Sequence, residues 1–156
     1  MRLTPQEGEE MLLHGDPIAL GRLADAERHR RYPSDRVTFI IDRNINYTNV
    51  CVNECRFCAF FRRQGSRDAY LLSYDEILDK VRETVAAGGT QVMIQGGLYP
   101  DLGLEYYERM LRRIKEEFPG ITIHSFTATE IQHFARQAGL SILDTLKHLQ
   151  EAGLDS

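Results

Sequence analysis

Apolar residues first gather at 37–42, VTFIID, a short β-branched run that predicts a buried strand. Before it, residues 5–31 mix apolar and charged positions at helical spacing. They predict one or two polar amphipathic helices, broken at Gly15-Asp16-Pro17 and stopped before Pro33. After the strand, the polar RNINYTN leads into a loop. Helical spacing returns in YDEILDKVRETVAAG, with a capping-box pattern at Ser73 and Glu76 and a stop at Gly88-Gly89. TQVMIQ, 90–95, predicts the second strand. LEYYERMLRRIKEEF predicts a helix ended by Pro119-Gly120, and ITIHSF, 121–126, the third strand. Two further helical stretches lie around 130–138 and 142–152.

Strands separated by helices predict βαβ units, a parallel sheet and an α/β fold, with a doubly wound sheet and a barrel both open. The organisation expected is a helical cap over 1–36 and the sheet-and-helix portion over 37–156. Three strands alone would leave an unpaired edge and an uncovered face. The expectation is therefore a piece of a longer fold, with the Gly153 helix-end signal leading towards a fourth strand.

The chain has 156 residues, 42% hydrophobic and 27% charged, with a formal net charge of -4. That balance argues against a general nucleic-acid or acidic-membrane surface and favours a small-molecule site. The acidic start MRLTPQEGEEMLLHGD has no signal-peptide pattern, and no run of apolar residues is long enough to cross a membrane, so a cytoplasmic location is expected.

All three cysteines, Cys51, Cys55 and Cys58, fall within eight residues of NYTNVCVNECRFCAF. A disulfide would leave one thiol over and close a loop too short to stabilise much. Zinc needs a fourth ligand, for which His124 is a candidate. An iron-sulfur cluster on three thiolates leaves one iron without a protein ligand, and an open iron is a place for chemistry.

C-x3-C-x2-C with an aromatic residue before the last cysteine, here Phe57, resembles the signature of the radical S-adenosylmethionine (SAM) enzymes. The resemblance implies a four-iron, four-sulfur cluster on Cys51, Cys55 and Cys58, with SAM on the open iron. It also implies that the fold is the N-terminal part of a βα barrel, truncated after about three βα units, with the cysteine loop following the first strand. The chemistry implied is one-electron cleavage of SAM to a 5'-deoxyadenosyl radical, which the protein aims. A non-catalytic zinc or iron-sulfur binding module is the alternative from another class.

Gln95, Gly96 and Gly97 close the second strand, where a ligand would approach a parallel α/β sheet. A plain strand-to-loop turn is the competing role. Members of the family often carry Gly-Gly-Glu here; this sequence has Leu98 in the third place. His124 and Ser125, weak catalytic candidates at the end of the third strand, point to opposite faces, so only one can look into a barrel lumen. Thr127 and Glu130 read as a capping box rather than as catalytic groups. Arg56, Arg62, Arg63 and Arg67 around the cysteines are expected to be solvated, with attraction of an acidic electron donor such as flavodoxin or ferredoxin as the functional alternative. Tyr106 and Tyr107 read as packing residues.

NYTNVCVNECRFCAF, GGTQVMIQGGLYPDLGLEYYERMLRRIKEEFP, IHSFTATEI and LSILDTLKHLQEAGLDS together resemble the cyclic dehypoxanthine futalosine synthases of menaquinone synthesis. The sister families are the aminofutalosine synthases and the synthases of the deazaflavin chromophore FO. The substrate implied is dehypoxanthine futalosine, cyclised after the radical takes a hydrogen from its ribose.

Overall fold

The computed structural model describes residues 2–156, in two compact units that divide between Phe39 and Ile40. In the first, α1 (Pro5–His14) starts on a Thr4–Glu7 capping box, and α2 (Pro17–Arg31) on the Asp16 carboxylate, which accepts from the Ala19 amide at 2.9 Å. The break between them falls at Gly15-Asp16, as the Gly-Asp-Pro signal predicts. Neither helix buries a residue completely.

The second unit runs β1 (Asp42–Asn46), α3 (Tyr74–Ala86), β2 (Gln91–Gln95), α4 (Leu104–Glu117), β3 (Thr122–Ser125), α5 (Ala128–Ala138) and α6 (Ile142–Glu151). The three strands form one parallel sheet in the order β1-β2-β3. Capping boxes open α3 at Ser73 and Glu76 and α5 at Thr127 and Glu130, as read from the sequence. The second and third strands and all four helices lie where hydrophobic spacing predicts them.

The first strand does not. The expected strand was VTFIID, whereas the residues that pair with β2 are DRNIN, with Asp42 opposite Gln91 and Asn46 opposite Gln95. Val37 and Phe39 are 78% and 82% exposed, and Ile40 and Ile41 are exposed as well. A continuous apolar run suits a strand covered on both faces. This sheet is covered by helices on one, so β1 needs only Ile45 as an inward apolar residue.

Ile45, Val92, Ile94 and Ile123 alternate along the strands to one face and pack with Val81 of α3, Tyr107 and Ile114 of α4, Phe134 of α5 and Leu149 of α6. Each such side chain contributes about 2 kcal/mol by leaving water. The other face carries Asn44, Met93 and His124 in one cross-strand row and Asn46 and Gln95 in the next, all exposed or half-buried. At the β3 edge, Asp155 and Ser156 donate backbone N–H groups to the Ile123 carbonyl, and the Ser156 carbonyl accepts from Ser125 at 2.9 Å. These residues run where a fourth strand is expected. No helix among the described residues is long and apolar enough to cross a membrane.

Candidate functional site

At the C-terminal end of β1 the chain stays buried through Tyr47, Thr48, Asn49 and Val50 before it emerges as the cysteine loop. Its polar side chains satisfy the backbone there. Thr48 Oγ1 donates to the Tyr70 carbonyl at 2.5 Å and accepts from the Val50 amide at 3.1 Å. The Asn49 side chain exchanges bonds of 2.9 Å with the Asp68 carbonyl and the Tyr70 amide. Cys51 N–H then donates to the Arg62 carbonyl and Val52 N–H to the Leu98 carbonyl, so the loop is tied both to its own return and to the end of β2. Cys51, Cys55 and Cys58 are free and half-buried. Cys58 N–H closes a turn on the Cys55 carbonyl, and the Asn53 amide donates to Cys55 Sγ at 3.1 Å. Glu54, inside the loop, adopts a left-handed φ of 43°, uncommon for a side chain of its size. Among the described residues no three His, Cys, Asp or Glu side chains stand together closely enough to hold a metal ion.

The glycine turn after β2 lies directly against this loop. A Cβ on Gly97 would stand 2.1 Å from the Val50 carbonyl oxygen and 2.9 Å from Cys51 Cβ. A Cβ on Gly96 would stand 2.6 Å from the Tyr47 ring. Both positions therefore require glycine for close approach. Tyr47 also has Tyr107 edge-on at 5.7 Å between centroids, and Tyr107 stacks on Phe134 at 3.8 Å. Tyr107 is fully buried and Tyr106 half-buried, which bears out their reading as packing residues.

Glu130, 1% exposed, joins these pieces. Its Oε1 accepts from the Gly96 amide and the Tyr47 hydroxyl, each at 3.0 Å. Its Oε2 accepts from the Thr127 amide and hydroxyl at 2.8 and 2.9 Å, completing the α5 cap. Burial raises the carboxyl pKa above its ordinary value, with the bonds from Thr127, Gly96 and Tyr47 opposing. Burial likewise raises the Tyr47 hydroxyl, with neighbouring Tyr107 and Glu130 adding to it. The Tyr107 hydroxyl is near enough to affect Tyr47 but makes no hydrogen bond of proper geometry.

A raised carboxyl pKa means that the native state holds a proton at pH values where the unfolded chain has lost it. Native stability then falls as pH rises from the ordinary value of 4.5 through the raised one. Urea unfolding at stepped pH is expected to show wild type losing stability relative to Glu130→Gln across that window, with a flat difference below it. A difference that grows in favour of wild type would contradict the assignment.

Of the glycine turn, Gly97 lies against Cys51 and Gly96 against the Tyr47 ring, while Gln95 pairs with Asn46 at the end of β1. Phe57 is 92% exposed on the loop. His124 stands on the helix-free face with its Nδ1 2.7 Å from Ser156 Oγ, whereas Ser125 faces the helices, buried and with Oγ unpartnered. The choice of face, open in the sequence, thus falls to His124. Of the four arginines, Arg62 bonds Asp68 at 2.5 Å and the loop carbonyls of Ala59 and Phe61, and Arg63 grips Glu54 at 2.7 and 2.9 Å. Arg56 and Arg67 make no ion pair among the described residues. Sequence reasoning saw Glu130 as a cap and missed its second oxygen, because nothing local marks a carboxylate that reaches across to another strand.

Three free thiols on a loop at the C-terminal edge of a parallel α/β sheet, with a glycine turn against the first of them, are what the structure brings together. The family described as the Radical SAM superfamily matches residues 45–156, and the chain belongs to that superfamily. It is 46% identical to the cyclic dehypoxanthine futalosine synthase of Streptomyces coelicolor, over 99% of this chain and 40% of the relative. Identity is 41% to the enzyme of the same name from Halalkalibacterium halodurans, over 99% and 42%. It is 43% to the 5-amino-6-(D-ribitylamino)uracil–L-tyrosine 4-hydroxyphenyl transferase of Methanopyrus kandleri, over 90% and 38%. The chain therefore spans about two fifths of the length of these relatives. In fold it resembles methylornithine synthase, with a TM-score of 0.61 at 18% identity over 99% of this chain and 54% of the other. It also resembles a maturase of the FeFe-hydrogenase, with a TM-score of 0.63 at 16% identity over 99% and 42%.

Proposed function

We propose that this chain supplies the cluster and SAM site of an enzyme of menaquinone synthesis that cyclises dehypoxanthine futalosine. The observation that carries the reading is the loop of three free, half-buried thiols whose first cysteine lies against Gly97. A donor set of thiols fits iron-sulfur ligation, and the glycine turn is a cradle that any side chain would fill. Cys51, Cys55 and Cys58 would hold the four-iron, four-sulfur cluster, the three thiolates supplying its soft ligands. Phe57, Gln95, Gly96 and Gly97 would line the SAM site.

The chemistry that the bound group supplies is one-electron cleavage of SAM to a 5'-deoxyadenosyl radical. The chain's own contribution is geometry. The helix-free face, with Asn44, Asn46, Gln95 and His124, would hold the substrate in one orientation, with its ribose and its benzoate ring both fixed relative to the cysteine loop. Exclusion of water from that face would protect a carbon radical formed there.

The names of the Streptomyces coelicolor and Halalkalibacterium halodurans relatives favour the futalosine substrate. The second reading, a 4-hydroxyphenyl transferase of the FO synthase type, is favoured by the relative at 43% identity. Incubating the reconstituted, reduced protein with SAM and dehypoxanthine futalosine tests the choice. A product two mass units lighter than the substrate, together with 5'-deoxyadenosine, is expected; 5'-deoxyadenosine with unchanged substrate overturns it.

An acidic electron donor such as flavodoxin or ferredoxin would be drawn by Arg56 and Arg67, which make no ion pair among the described residues, rather than by Arg62 and Arg63, whose charges are matched. Arg56→Glu with Arg67→Glu is expected to slow reduction by flavodoxin about tenfold at low salt while leaving dithionite reduction unchanged. Equal slowing of both would reject that surface.

A further inference from the structure

The two oxygens of Glu130 have separate partners. Oε2 serves the Thr127 amide and hydroxyl and so does what any capping glutamate does. Oε1 does something a cap does not require. It holds the Gly96 amide on one strand end and the Tyr47 hydroxyl on another, from a helix that follows a third. The same Tyr47 hydroxyl stands 3.4 Å from the Gly97 carbonyl, and its ring fills the space over Gly96. Gly97 in turn touches Val50 and Cys51. One buried carboxylate thus fixes a chain of contacts that runs from α5 through the glycine turn to the first cysteine.

We infer that Glu130 is a positioning residue for the SAM site, acting through Gly96 and Tyr47, in addition to capping α5. The inference rests on the functional reading above. Glu130 touches neither cluster nor substrate in this role. It keeps the glycine turn at the distance from the cysteine loop that SAM needs, and its burial beneath an aromatic layer makes that distance stiff. A helix cap alone needs Oε2 and the Thr127 hydroxyl, so the two roles separate by substitution.

The test compares three variants of the intact protein, reconstituted anaerobically, by iron content, melting temperature and the dissociation constant of SAM. Thr127→Ala removes a partner of Oε2 and leaves the Gly96 and Tyr47 bonds. Tyr47→Phe removes a partner of Oε1 and leaves the cap. Glu130→Ala removes both. The positioning role predicts that SAM affinity weakens about tenfold in Glu130→Ala and several-fold in Tyr47→Phe. It predicts less than a twofold change in Thr127→Ala, although that variant melts at a lower temperature. Thr127→Ala weakening SAM as much as Glu130→Ala, or Tyr47→Phe leaving it unchanged, overturns the inference; the Tyr47→Phe result decides if Glu130→Ala does not fold. Wild-type protein that takes up no cluster and binds no SAM overturns the functional reading and the inference with it, whereas wild-type binding with no difference among variants removes the inference alone.

Discussion

Gly97→Val is expected to cost about 3 kcal/mol of stability, the upper range for forcing atoms into a packed interior, and to leave the protein with little bound iron. The reason is the identity of the atoms in the way. A Cβ at this position meets the Val50 carbonyl oxygen at 2.1 Å and its carbon at 2.6 Å, and backbone cannot rotate aside as a side chain does. Val50 is itself pinned, its amide on Thr48 Oγ1 and the next amide on the Arg62 carbonyl. Relief requires moving the segment that carries Cys51, so strain and lost ligation come together. Melting should fall by about 6–12 °C for a chain of this size. Gly120→Ala provides the control, since a Cβ there meets nothing within 4 Å, and it should change neither melting nor iron content. Gly97→Val with full iron and wild-type melting would mean that the close approach has no consequence for the loop.

Substituting Cys51, Cys55 or Cys58 singly by serine should abolish iron binding and reduce 5'-deoxyadenosine formation to background. The loss should exceed the roughly 10- to 100-fold seen when an outer partner of a metal ligand is removed. Serine preserves the size of the side chain and removes the soft thiolate, so it separates ligation from packing. Because all three side chains are half-buried in a loop without regular structure, the metal-free variants should melt within a few degrees of metal-free wild type. Asn53→Ala, which removes only the amide bond to Cys55 Sγ, should fall in the smaller, outer-partner range. A cysteine that can be replaced without loss of iron would contradict three-thiolate ligation.

The parts of the fold that were legible in the sequence are those where local chemistry decides. Capping boxes at Ser73-Glu76 and Thr127-Glu130 and the helical spacing of Leu104, Tyr107, Leu111 and Ile114 marked their elements because each depends on residues three or four apart. The first strand was misplaced because hydrophobicity alone does not say which residues a neighbour will pair with. Asp42–Asn46 qualifies by register with β2 and by Ile45, while the more apolar 37–41 segment lies exposed. The cysteines stood out by spacing. Glu130 and Tyr47, eighty-three positions apart, did not, since their meeting is a property of the sheet order and of the burial it creates.

The most direct test of the central claim is iron and acid-labile sulfide per chain after anaerobic reconstitution, with the electronic spectrum followed as SAM is added. A three-thiolate cluster with an open iron predicts about four irons and four sulfides and a spectrum that changes on SAM binding. A colourless protein carrying one zinc, or a cluster blind to SAM, would contradict it.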